Sequence, residues 1–157
     1  MFNMLVRSFQ ASDLQDVLQL FYDTIQTVNC RDYTAEQIEV WSSGALQNPD
    51  RWLDRLQTSM TYVAEINGQL VGFTNLEQDG HIDLFYCHSH YQGQGVGSTL
   101  LRQIEATAHT QDIKRLFTEA SITAKPFFQR RGFRVVREQQ VERNAVQFRN
   151  FVMEKVL

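Results

Sequence analysis

The stretch Tyr91–Leu101, YQGQGVGSTLL, carries glycines at positions 93, 95 and 97 and then begins an apolar repeat at helical spacing. A tight turn needs one glycine or two. Three in alternation imply that something approaches the backbone closely. Before it, HIDLFYCH (His81–His88) reads as a strand, and after it Val96, Leu100, Leu101, Ile104 and Ala108 recur on one helix face. A strand running through glycines into a helix N-terminus is an anion site. The first helical N–H groups lack partners, and the macrodipole places partial positive charge there. Glycines remove the Cβ that would block a phosphate, and Gln92 and Ser98 can add side-chain hydrogen bonds. Two familiar phosphate motifs do not fit. The P-loop needs a Gly-Lys-Ser/Thr ending, and the dinucleotide fingerprint needs Gly-x-Gly-x-x-Gly in an early βαβ unit.

Outward from the loop, the chain alternates between two periods. MLVRSF (Met4–Phe9) is a first strand, and Ser12 with Gln15 suggests a capping box for a helix whose apolar face is Leu14, Val17, Leu18, Phe21, Ile25 and Val28. Thr34 and Gln37 repeat the capping pattern ahead of Ile38 and Trp41. Pro49 opens a third, short helix that turns Trp52, Leu53 and Leu56 inward. MTYVAEI, the turn Asn67-Gly68 and QLVGFTNLE form a hairpin. Asp79-Gly80 then turns the chain into the strand that precedes the glycine loop. Beyond the loop helix come the strand RLFTEAS, the helix AKPFFQRR closed by Gly132, and a hairpin turning at Arg143-Asn144. A helix between the fourth and fifth strands makes those two parallel neighbours in an otherwise antiparallel sheet.

The 157 residues are read as one domain, 1–157, of ordinary soluble composition. A net charge of −3 gives no nucleic-acid footprint, and QRRGFRVVR is read as a solvated helix end and strand. No apolar run approaches the length of a membrane span, and the first ten residues lack a signal-peptide layout. Cys30 and Cys87 form no CxxC pair, so the expectation is two free thiols in a reducing, cytoplasmic setting. His88 and His90 have no third ligand candidate nearby, and no metal is expected.

QGQGVG (Gln92–Gly97) resembles the Q/R-x-x-G-x-G/A pyrophosphate loop of the GNAT N-acetyltransferase superfamily. SITAKPFFQRRGF (Ser121–Phe133) resembles that family's second signature, Asn-x-x-Ala-x-x-Phe-Tyr followed by Gly-Phe. The inferred element order agrees along nearly the whole chain. The resemblance implies an α/β (α+β) fold with a mixed, mostly antiparallel sheet of six to seven strands flanked by helices. It also implies acetyl-CoA as co-substrate, without a metal. The fourth and fifth strands would splay, and the pantetheine arm would enter the gap. Phe85, Tyr86 and Cys87 would line the arm, Gln92, Gly93, Gln94, Gly95, Val96, Gly97 and Ser98 would surround the pyrophosphate, and Ser121 and Phe128 would complete the cofactor wall. A backbone N–H near Cys87 would polarise the thioester carbonyl.

By the same resemblance, Asp83 stands where several members carry a catalytic carboxylate, and it is the first candidate for general base; Glu119 is the second. Strand alternation puts Asp83, Phe85 and Cys87 on one face and Ile82, Leu84 and Tyr86 on the other. Cys87 is read as an inert thiol, since the family transfers acetyl directly. Two positions depart from the pattern. Phe128 replaces the tyrosine that often protonates the leaving thiolate, leaving Tyr86 or Tyr22 to serve, and Ser121 replaces the usual asparagine. Asn29, Asp32, Tyr33 and Trp41 are the candidate wall for the acceptor, a small-molecule or peptide amine, with Asp32 favouring a cationic one. The superfamily also admits a homodimer through the late strands. A non-catalytic acyl-CoA-binding module is the alternative that Phe128 raises.

Overall fold

The computed structural model describes residues 3–157. Its elements follow the order β1 (Met4–Ser8), α1 (Leu14–Thr27), α2 (Ala35–Gln47), α3 (Pro49–Thr58), β2 (Met60–Ile66), β3 (Gln69–Leu76), β4 (Ile82–Cys87), α4 (Val96–Thr110), β5 (Arg115–Ser121), α5 (Lys125–Arg130), β6 (Arg134–Arg143) and β7 (Val146–Val156). Short 3₁₀ turns precede α1, α2 and α4. The strands make two sheets, β1-β2-β3-β4 and β5-β7-β6, each antiparallel throughout.

Local chemistry sets the boundaries. Thr34 Oγ1 accepts from the Gln37 N–H, and the Gln37 side chain accepts from the Thr34 N–H, closing the box that starts α2. Pro49 sits in the first turn of α3. The entry to α1 differs from expectation: Ser12 lies inside a 3₁₀ turn, and the reciprocal cap is formed by Gln10 and Asp13. Asp13 is drawn there because Arg7 engages both its carboxylate oxygens at 2.8 Å. The β6–β7 turn is also displaced by one residue. Asn144 and Ala145 are its left-handed pair, at φ 48° and 64°, and Arg143 is still in strand.

Helices sandwich the first sheet. On one face α1, α2 and α3 close over Val63, Phe73 and Leu84 with Val17, Phe21, Ile25, Trp52 and Leu56. On the other, Val96 and Leu100 of α4 pack on Ala64, Ile66 and Val71. A third cluster joins α4 to the second sheet and α5 through Leu101, Ile104, Leu116, Phe128 and Phe133. The expected alternation along β4 fails at one point. Asn75 pairs with Leu84 and Leu76 with Ile82, so Asp83 is a bulge with no partner on β3. Ile82 therefore shares a cluster with Phe85, while Leu84 and Tyr86 pack on the opposite side.

The expected parallel neighbours, β4 and β5, touch at a single bridge, His81 to Phe117. The Phe117 N–H donates to the Gly80 carbonyl at 3.0 Å, and the Thr118 hydroxyl donates to the Ile82 carbonyl at 2.8 Å. Beyond these ties the strands pair only with neighbours on their far sides, so the sheet opens here into two.

Candidate active site

The opening between β4 and β5 is a cavity of about 630 Å³. It runs from the glycine loop, past Phe85, Tyr86 and Cys87, to Asp83 and Glu119. At its mouth, α4 begins with Thr99 donating to the Gly95 carbonyl, so the N–H groups of Val96, Gly97 and Ser98 have no intrahelical partner. Gly93 and Gly95 hold φ values of 75° and 87°, with open space where a side chain would stand. Gly97 is helical and answers to packing, since a Cβ there would lie 2.7 Å from the Phe127 ring. The three glycines thus do two jobs: two shape the loop, and one seats α4 on α5.

Arginines surround this mouth. Arg131 donates to Ser98 Oγ through Nε and Nη2 at 3.2 and 2.6 Å and lies over the Phe127 ring. Arg130 and Arg131 both line the cavity. Reading QRRGF as a solvated helix end missed them, although its position directly after the second signature was a usable signal. Gln92 lines the cavity while its amide donates to the Cys87 carbonyl at 2.7 Å. Two loop residues fall outside the lining. Gln94 turns back to the His90 carbonyl, and the Val96 side chain is buried in the core beneath α4, leaving only its backbone to face the mouth. Phe128, 2% exposed, lines the cavity from within an aromatic cluster with Phe85, Phe127 and Phe133. Burial pushes the Cys87 thiol up to about 12 despite Arg131 nearby, which disfavours the nucleophilic thiolate.

A second cavity of about 650 Å³ lies across the splay, bounded by α2, α3 and the β6–β7 hairpin. Five residues line both cavities: Trp41, Asp83, Tyr86, Glu119 and Ser121. The two carboxylates expected from the sequence do meet here, but neither stands alone. Arg55 engages both oxygens of Asp83 at 2.6 and 2.7 Å, and Asn75 adds a longer contact. Burial opposes the charged form of Asp83, yet Arg55 outweighs it and holds the carboxyl below its ordinary range. Glu119 accepts from His81 Nε2 at 2.9 Å, and Glu77 holds the other ring nitrogen. Burial would lower the His81 pKa, but the two glutamates raise it to about 9, so His81 is a cation at neutral pH. Burial drives the Tyr86 hydroxyl up to about 12. Glu77, His81 and Asp83 bring donor atoms within 4.8 Å of one another. As a metal centre this trio is compromised, because Arg55 already occupies both Asp83 oxygens.

The expected acceptor wall divides. Tyr33 and Trp41 line the second cavity, their rings edge to face at 5.1 Å. Asn29 is buried on the first cavity instead, with its amide toward Ser121. Asp32 lines neither and is spent accepting from Thr123 at 2.7 Å, so its expected pull on a cationic acceptor has no place at the site. Tyr22 lines neither cavity, whereas Tyr86 lines both. Arg55 and His81 were not legible in the sequence. Arg55 lies 28 positions from Asp83 on another element, and no motif links them.

Comparison with known proteins agrees with this geometry. Residues 29–155 match the family model "Acetyltransferase (GNAT) domain". The N-acetyltransferase YafP of Escherichia coli is 35% identical over 151 residues, covering 96% of this chain and 95% of its own. A GCN5-related N-acetyltransferase structure from Rhodopseudomonas palustris superposes with a TM-score of 0.94 at 31% identity, over 98% of this chain and 95% of that one. PaiA N-acetyltransferase from Thermoplasma acidophilum, solved with coenzyme A, shares the fold at a TM-score of 0.82 and 18% identity, over 99% of each chain. The chain belongs to the GNAT family of acetyltransferases, as the loop, the splayed strands and these likenesses together require.

Proposed function

We propose that the protein moves the acetyl group of acetyl-CoA onto a primary amine of a small molecule or peptide by direct attack in a ternary complex. The observation that carries this reading is the meeting of two cavities at Asp83, Tyr86, Glu119 and Ser121. One cavity has the pyrophosphate donors at its far end, and the other opens to a separate set of side chains. The donor's phosphates take the free N–H groups at the start of α4 with Arg130 and Arg131 beside them, and its arm follows the open edge of β4.

The amine nitrogen attacks the thioester carbonyl. A C–N bond forms, the C–S bond breaks, the ammonium proton passes to a base and the thiolate takes a proton. Asp83, the first candidate for base, is clamped by Arg55 and suited to positioning. Glu119, exposed and with only one oxygen engaged by His81, keeps its second oxygen free of hydrogen bonds among the described residues and is the better placed to take the proton, directly or through a water. Tyr86 keeps its proton at any working pH and is the available donor to the thiolate. Phe128 then needs no catalytic role.

The test is acceptor-dependent release of free CoA thiol across an amine panel. Glu119→Gln is expected to lower kcat by about 100-fold, the usual yield of a positioned base, and to remove the acidic limb of the pH–rate profile. CoA binding without any acceptor-dependent thiol release would instead support a binding module. An E119Q enzyme with an unaltered profile would return the role of base to Asp83 or solvent.

A further inference from the structure

The second cavity has a charge signature opposite to that of the chain. The protein is net acidic at −3. Yet this cavity is lined by four arginines, at positions 51, 55, 143 and 149, against two carboxylates, Asp83 and Glu119. Two of the arginines are committed. Arg55 is clamped on Asp83, and Arg149 pairs with Glu138. Arg51 on α3 and Arg143 at the end of β6 have no ion pair among the described residues, and both stand exposed at the rim. One further group lacks a partner. Asn150 Oδ1 is buried and accepts no hydrogen bond among the described residues. Ser121 pairs with Asn150 and Glu119 with Val152, so Asn150 and Glu119 are diagonal neighbours on one face of the second sheet.

Resting on the acetyl-transfer reading above, we propose that the acceptor is a zwitterion: an amine carrying its own carboxylate or phosphate, not a polycation. The amine reaches the junction, where the Asn150 side chain turns out of the wall for Oδ1 to receive one N–H and Glu119 faces the proton to be lost. The anion lies outward between Arg51 and Arg143. The body of the molecule rests on the aromatic wall of Tyr33, Trp41 and Phe148. A polycation would meet unpaired arginines at the entrance, and like charges there select against it.

The experiment uses matched acceptors with the intact chain: apolar α-amino acids against their carboxamides, amino-sugar phosphates against the free amino sugars, and a polyamine. The reading is kcat/KM for thiol release. The carboxylate or phosphate member of a pair is expected to win by at least about tenfold, the least that one charge-assisted hydrogen bond supplies. Which pair shows the larger ratio identifies the anion. The ratio should fall toward one in the Arg51→Gln/Arg143→Gln double variant, mainly through KM, with CoA affinity unaltered. In the unaltered protein it should shrink as salt rises. Equal or better turnover of carboxamides or polyamine, or a ratio that survives in the double variant, overturns the proposal. Should no amine be acetylated, the same pairs are titrated into the CoA-loaded protein by calorimetry. Binding of the anionic members that depends on Arg51 and Arg143 upholds the zwitterion site while removing acetyl transfer, and no preference there overturns both.

Discussion

Gly95 and Gly97 lie two residues apart and answer to different constraints. Gly95 is left-handed with open space around it, so Gly95→Ala meets no atom but strains the backbone by about 1–2 kcal/mol. Gly97→Ala drives a Cβ into Phe127, and relief requires α4 to lift from α5; we expect a loss of about 1–3 kcal/mol. Chemical denaturation should rank the two, and CoA titration should show a weaker complex for Gly97→Ala, whose helix start is displaced. His81 carries a pH signature. Its folded pKa of about 9 exceeds the ordinary 6.5, so its stabilising contribution is complete below about pH 6.5 and disappears as pH rises through 9. Denaturation midpoints should therefore fall over that window in the unaltered protein. In His81→Gln they should fall less, by on the order of 1–2 kcal/mol after allowance for solvent screening. Asp83 has the opposite sign: its contribution is present at neutral pH and is lost only as pH drops below the ordinary carboxylate range.

Among elements, α3 and β4 are linked by the Arg55–Asp83 pair, and α5 and α4 by Arg131 on Ser98. Removing Arg55 strands a partly buried carboxylate, so Arg55→Ala should cost about 1–3 kcal/mol in denaturant unfolding. Lysine will not restore the loss, because it cannot make the bidentate contact. Arg131→Gln acts at the donor end. It should weaken CoA about tenfold and reduce the salt dependence of binding, as expected for one lost phosphate contact. Element positions were legible beforehand because each is a local pattern. The box Thr34–Gln37, Pro49 in α3, the Asn67-Gly68 turn and the strand RLFTEAS all appear where their residues put them. The misreadings, at Ser12 and at Arg143-Asn144, each missed by one or two positions. At the first, Arg7 on a neighbouring strand selected Asp13 over the serine.

At the scale of the whole molecule, the two sheets are held by few ties besides the third core cluster, and Tyr33 is one of them. Its hydroxyl accepts from the Ile122 N–H and donates to the Arg149 carbonyl, each at 2.9 Å, joining the segment before α2 to β7 and to the turn that follows β5. Tyr33→Phe removes both bonds and should destabilise by about 1–2 kcal/mol, with acceptor KM rising as the second cavity loosens. Hydrogen exchange at Ile122 offers an independent check.

What the sequence determined by itself was the family and the order of elements around the glycine loop. The glycine loop, the helix behind it and the order of strands are contiguous, and contiguous chemistry is visible in a linear chain. Only the tertiary structure decided the rest. It broke the alternation of β4 at Asp83, because the register with β3 is a non-local choice. It brought Arg55 to Asp83 and His81 to Glu119, and it removed Asp32 from the site by giving it to Thr123. It also gathered arginines from α3, β6 and β7 around one cavity, a charge pattern that exists only when segments far apart in the chain share a wall. Charge and proton affinity are properties of surroundings, and surroundings are made by the fold.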